Sequence, residues 1–314
     1  MENLVFSLNA TVPIFLLMVL GLIFNKIGWI DDVFASKMNK FVFTVPLPVL
    51  VFKNLAEVDF RAAWNGKFVL FCFLVTVVSI AIAVGISFLI KDKAGRGEFV
   101  QSSYRSSAAL LGIAFIQSIY GTSGLGPLMI IGSVPLYNIM AVIVLSLMKP
   151  EGGGLSGKTI IKTLKGIVTN PILIGILVGI VWSVLKIPCT GIFSKAVTSV
   201  ANVATPMGLM AMGATFDFKK AFGKLGPSAV ATFMKLIGFA AMFLPIAIYM
   251  GFRNEELVAI LVMLGSATTV SCFVMAKNMG HDGVLSSAVV MLTTLLSAFS
   301  LTGWLWLLRS LGYI

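Results

Sequence analysis

The stretch "ATFDFKKAF" (residues 214–222) has a near copy earlier in the chain, "AEVDFRAAW" (residues 56–64). Asp59-Phe60-Arg61-Ala62-Ala63 aligns with Asp217-Phe218-Lys219-Lys220-Ala221 at an offset of 158. Pro48 and Pro206, in the apolar runs before the two copies, keep that offset. A second echo pairs Gly121-Thr122-Ser123-Gly124-Leu125 with Gly280-His281-Asp282-Gly283-Val284 at an offset of 159. Apolar segments resemble one another by chance, so either echo alone would be weak. Two at nearly one offset, about half of a 314-residue chain, point to an internal duplication.

Composition says what kind of molecule is duplicated. The chain is 58% hydrophobic and 11% charged, with a mean hydropathy of +1.02. A soluble domain carries about 25% charged residues, so this composition suits lipid and reads as a polytopic membrane protein. In a soluble chain the net charge of +11 would suggest nucleic acid. Here the charges fall in short loops, where Lys and Arg record topology, and no nucleic-acid role is expected. Cys72, Cys189 and Cys272 are widely spaced with no CxxC or Cys/His pattern, so neither a disulfide framework nor a metal site is indicated. No cofactor is expected. The first apolar run lacks a basic lead and a cleavage pattern, and reads as a membrane helix rather than a signal peptide.

A bilayer core takes roughly 20 apolar residues per helix. That ruler gives spans near 5–24, 33–53, 66–90, 99–119 and 123–148. A Gly- and Lys-rich break follows, then spans near 168–187, 192–214, 226–250, 257–278 and 283–308. The expected organisation is a first five-helix repeat (1–148), a cytoplasmic linker (149–167) and a second five-helix repeat (168–314). Fourteen of the 23 Lys and Arg fall in the loops after spans 1, 3, 5, 7 and 9, and seven on the opposite side. The richer side is cytoplasmic by the positive-inside rule, which leaves both termini outside. Five spans per half is an odd number, so the second repeat enters the membrane inverted. Inverted repeats mark secondary transporters, whose sites lie near the midplane where the repeats meet.

The N-terminal run "VPIFLLMVLGLIFNKIGWI…KMNKFVFTVPLPVLVFKNLAEVDF" resembles the auxin efflux carrier family, which includes bacterial malate and malonate permeases and plant auxin exporters. The resemblance rests on Pro13, Gly21, Lys26, Asn39-Lys40, Pro48 and Phe52-Lys53-Asn54-Leu55-Ala56. It continues in "TPMGLMAMGATFDF" (205–218), "MKLIG" (234–238) and "FVMAKNMGHD" (273–282), covering nearly the whole chain. It implies helices 4 and 9 that are broken and cross, as in bile-acid and sodium–proton transporters. It also implies a scaffold of helices 1, 2, 6 and 7, and a transport unit of helices 3–5 and 8–10. The family's crossing motifs carry asparagine and proline. This chain has Ser106-Ser107 and Ala114 in the first, and Thr268 and Ser271 in the second. Without proline, the breaks are left to Gly112, Gly265 and the hydroxyl side chains.

All twelve acids sit in loops or near span ends, which argues against a two-aspartate cation exchanger. The groups left inside are cationic or neutral and suit an anion. Lys235 lies well inside span 8; it either snorkels to the interface or supplies a fixed charge. Arg105 opens the "RSS" run of span 4, as an interfacial anchor or a substrate contact. Ser106, Ser107, Thr268, Thr269 and Ser271 could bind a carboxylate or satisfy backbone freed at a break. Asn138, within span 5, bonds a neighbouring helix or the ligand. With Gly112 these form the candidate binding set. His281 is the single histidine, in a turn, and no catalytic cluster accompanies it. The expected function is elevator-type secondary transport of a small organic anion across the inner membrane, compatible with a homodimer through the scaffold helices. A sensor, a channel or an amino-acid transporter on the same scaffold stays open.

Overall fold

The computed structural model describes residues 13, 16–56, 65–108, 112–121, 125–149 and 169–314. The "DF" segment at 57–64, most of the Gly121–Gly124 turn and nearly all of the expected linker lie outside the described residues. What is described is helical, with no strand.

In the first half α1 is Leu16–Lys26, α2 Asp32–Thr44, α3 Pro46–Ala56 and α4 Gly66–Ser87. Then come α5 (Arg96–Tyr104), α6 (Ile113–Tyr120) and α7 (Gly126–Leu147). The second half holds α8 (Pro171–Val184), α9 (Gly191–Ala214) and the short α10 (Phe218–Gly223). It continues with α11 (Leu225–Tyr249), α12 (Asn254–Gly265), α13 (Ser271–Asn278) and α14 (Val284–Ser310). Among the described residues α4, α11, α14 and residues 128–147 of α7 are long and apolar enough to cross a membrane unaided. The chain is a multi-pass membrane protein.

Local chemistry sets the helix ends. Asp31 caps α2 by accepting from the Phe34 N–H, Asn65 caps α4 and Asn170 caps α8. Pro171 follows Asn170 at the first helical position, where its missing donor costs nothing. Pro46 divides the expected span 33–53 into α2 and α3, with Val45 out of helical geometry between them. The expected spans 99–119 and 257–278 are each in two pieces, α5 with α6 and α12 with α13. Gly265 is the last residue of α12. Beyond it, Ser266 is extended, at φ −76° and ψ 163°.

The helices fall into two groups. In the first, α3 packs on α8 and α9, and α2 on α9. Glycine brings these backbones together. A methyl group on Gly213 would fall 1.9 Å from the Met18 carbonyl oxygen, and one on Gly175 2.5 Å from that of Pro48. Lipid tails are as apolar as leucine, so membrane helices gain most by such close backbone packing. One such contact occurs twice: Gly21 of α1 meets Met210 of α9, and Gly179 of α8 meets Phe52 of α3. Gly21 and Gly179 are 158 positions apart, as are Phe52 and Met210.

The second group contains α4, α5 and α7 packed together, and α11, α12 and α13 around α14. The groups meet where α13 lies against α2 and α9, and where α7 touches α8. Large apolar side chains such as Leu70, Leu177 and Trp306 project from the helices largely exposed, as they would into lipid. At one end Lys224 pairs with Asp92 and Asp282, beside the loop that carries Lys91 and Lys93. At the other, Asn65 donates to Glu256, Lys67 to the Met250 carbonyl, and the Leu125 N–H to Glu255.

Candidate functional site

The two broken stretches meet in the interior. The Ser107 N–H donates to the Ala267 carbonyl at 2.9 Å, and Ser106 and Thr268 form an isolated antiparallel bridge. A break leaves backbone groups unpaired, and in the absence of water they must find partners within the protein. The hydroxyls supply them. Ser106 donates to the Met263 carbonyl, which also accepts from the Tyr137 hydroxyl. Thr268 donates to the Ser102 carbonyl, and its own N–H donates to Thr293.

Beside this junction lies a cavity of about 110 Å³ between the two helix groups. Leu47, Leu50, Val51 and Asn54 of α3, with Ala204 and Thr205 of α9, form one wall. The other is built from Arg105, Ser106 and Ser107, from Val134, Tyr137 and Asn138 of α7, from residues 267–271 and from Thr294. A cavity of ~150 Å³ accommodates benzene, so the space suits a ligand of a few carbon atoms.

Arg105 dominates the second wall. It directly follows α5, in extended geometry, and is only 2% exposed. One terminal nitrogen, Nη2, donates to Asn138 Oδ1 at 2.7 Å and Ser271 Oγ at 2.9 Å. The other, Nη1, reaches Met275 Sδ and, at 3.4 Å, Gln101 Oε1; Nε has no partner among the described residues. Asn138 is oriented by donating to the Val134 carbonyl, and Gln101 by donating to that of Cys272. No carboxylate among the described residues pairs with Arg105. Among the described residues the guanidinium is therefore held in place by neutral acceptors. Ser271 also bonds Thr269 at 3.2 Å, and the Ser107 hydroxyl makes no hydrogen bond to a described residue.

Of the candidate residues, Arg105, Ser106, Ser107, Asn138, Thr268, Thr269 and Ser271 converge on the cavity. Gly112 does not; it packs against Val262 and Met129. Lys235 does not either. It is fully buried, and its ammonium donates to the Leu264 carbonyl behind the junction. Asn54 and Thr205 line the opposite wall and were not anticipated, although each is a polar residue inside a motif that carries the family resemblance.

Glu98 is a further surprise. Although it lies near a span end, it is buried and accepts the Gly283 and Ser286 N–H groups at the start of α14. Its neighbour Asp282 loses solvation, yet hydrogen bonds with Glu98 and Lys224 hold its carboxyl down to about 2. His281 is buried against the Leu145 carbonyl, and burial lowers its basicity. Both lie at the charged end of the molecule, away from the cavity wall.

Residues 6–305 match the family described as membrane transport protein. An uncharacterized transporter of Methanothermobacter thermautotrophicus is 21% identical over 306 residues, spanning 95% of this chain and 97% of that protein.

Proposed function

The chain belongs to the membrane transport protein family, the auxin efflux carriers, and on that premise we propose that it carries a small organic anion across the cytoplasmic membrane. The observation that carries this reading is the buried Arg105 guanidinium, whose partners among the described residues are all neutral. A charge-assisted hydrogen bond is roughly twice as strong as a neutral one. A carboxylate entering the cavity therefore outcompetes Asn138 and Ser271 for Nη2, and the released amide and hydroxyl can bind it in turn. The N-terminus of α13, which begins at Ser271, adds about half a positive charge. With Tyr137 as the single aromatic side chain on the cavity wall, a compact anion fits better than an aromatic one.

The architecture behind this function is ten helices in two inverted repeats, with the fourth and ninth crossing at Ser106 and Thr268. The doubled glycine contacts support it, since both partners shift by 158 positions. So does the meeting of the two interrupted spans at one bridge. The first helix group serves as scaffold and homodimer surface, and the second slides against it carrying the anion. Both chain ends face outward in this scheme.

The test is a thermal-shift screen of purified protein against small carboxylic acids, amines and neutral solutes, followed by uptake into liposomes. We expect a carboxylate to stabilise the protein and to be transported. Arg105→Gln should weaken its binding by at least tenfold while the apo protein still melts cooperatively. Stabilisation by amines or neutral solutes alone would reject the anion.

A further inference from the structure

We infer that Lys235 is a cation built into the chain, which neutralises the carboxyl end of α12 at the break so that no dissolved cation is needed there. The inference is independent of which anion is carried. A helix leaves its last four carbonyls without intrahelical partners, and together they present about half a negative charge. At the end of α12 the partners can be traced. The Val262 carbonyl accepts the Ser266 N–H, and the Met263 carbonyl takes the hydroxyls of Ser106 and Tyr137. The Leu264 carbonyl takes the Lys235 ammonium.

Lys235 reaches that point because α11 opens into a π-turn over Met234–Gly238. Such turns are rare and concentrate at functional positions. The Leu236 carbonyl of the turn accepts the Trp304 indole N–H at 3.1 Å, which ties the turn to α14. Lys235 is fully buried, and among the described residues it pairs with no carboxylate. It does not line the cavity, so its charge is directed to the backbone rather than to the cargo. Arg105, one residue past the end of α5, is buried too, but its guanidinium bonds the side chains of Gln101, Met275, Asn138 and Ser271 rather than a helix-end carbonyl. A helix-end carbonyl inside a membrane protein is a natural ligand for a monovalent cation, and here the lysine ammonium already occupies that of Leu264.

Melting temperatures in sodium, choline and propylammonium chloride at equal ionic strength test this. The wild-type protein should melt at the same temperature in all three. Lys235→Ala should melt several degrees lower in choline and recover in propylammonium, which replaces the three carbons and the ammonium removed. Lys235→Arg should stay close to wild type. Sodium-specific stabilisation of the wild-type protein would overturn the inference. So would an alanine variant as stable as wild type, or one weakened equally in every salt. If the alanine variant does not fold, the wild-type comparison and the arginine variant still decide.

Discussion

Arg105 and Ser107 illustrate how neighbouring residues at one break divide the work. Arg105 contributes charge, Ser106 satisfies the Met263 carbonyl, and Ser107 leaves its hydroxyl facing the cavity. The hydroxyls therefore differ in what their loss should do. Ser107→Ala removes a neutral hydrogen bond to the ligand, valued at about 0.5–1.5 kcal/mol, and should weaken binding roughly two- to tenfold with melting unchanged. Ser106→Ala strips a buried carbonyl of one of its partners and should lower the melting temperature instead. A ligand titration beside a melting curve separates the two, and the same effect from both variants would contradict this division. The residue types at the site were partly legible in the sequence, because hydroxyls and cations inside the spans, with every acid at the edges, already suited an anion, while Arg105 itself read equally as an interfacial anchor. The direction of each side chain was not. Lys235 shares that chemistry, but its rotation about α11 is set by a π-turn, and nothing in the sequence of that helix announces one. Asn54 and Thr205 come from the facing wall, and no spacing along the chain links them to Arg105.

At the scale of the element, glycine decides how closely helices approach. Gly213 and Gly175 sit where a side chain would strike a neighbouring backbone, at Met18 and Pro48. Backbone cannot swing aside as a side chain can, so α1 and α9, or α3 and α8, would have to separate. Overpacking of this kind costs about 1–3 kcal/mol. Gly213→Val should lower the melting temperature by several degrees, whereas Gly85→Val, in open space on α4, should have little effect. Equal melting of the two variants would show that close packing is unimportant here. Most helices coincide with the apolar runs read from the sequence, since hydropathy alone records what lipid tolerates. The interruptions at 105–107 and 266–270 are different. They lie inside the expected spans 99–119 and 257–278 and contain no proline, so only the family resemblance pointed to them. Gly265 and the hydroxyls are what replace proline, the first by ending α12 and the others by pairing with freed backbone.

For the whole molecule, the question is whether the two helix groups move against each other. The cavity lies between them, with α3 and α9 on one side and the broken stretches on the other. At the Asn39 end the groups touch, where the Asn278 amide donates to the Asn39 carbonyl at 3.3 Å and α13 packs against α2. Gly208 of α9 adds to this closure, because a methyl group there would meet Val270 and Val274. If transport requires the second group to slide, a covalent tie at this point should stop it without damaging the site. Cysteines at Asn39 and Asn278, in a Cys189→Ser background, can be joined as a disulfide by mild oxidation, which needs no bulky reagent to reach the buried position 39. The cross-linked protein should lose uptake into liposomes and regain it when the link is reduced. Its carboxylate-dependent thermal shift should change little, because Arg105, Asn138 and Ser271 move together with α13 or remain in the same group. Full cross-linking with undiminished flux would mean that the groups do not move relative to each other, and that the anion passes by local rearrangement at the break alone.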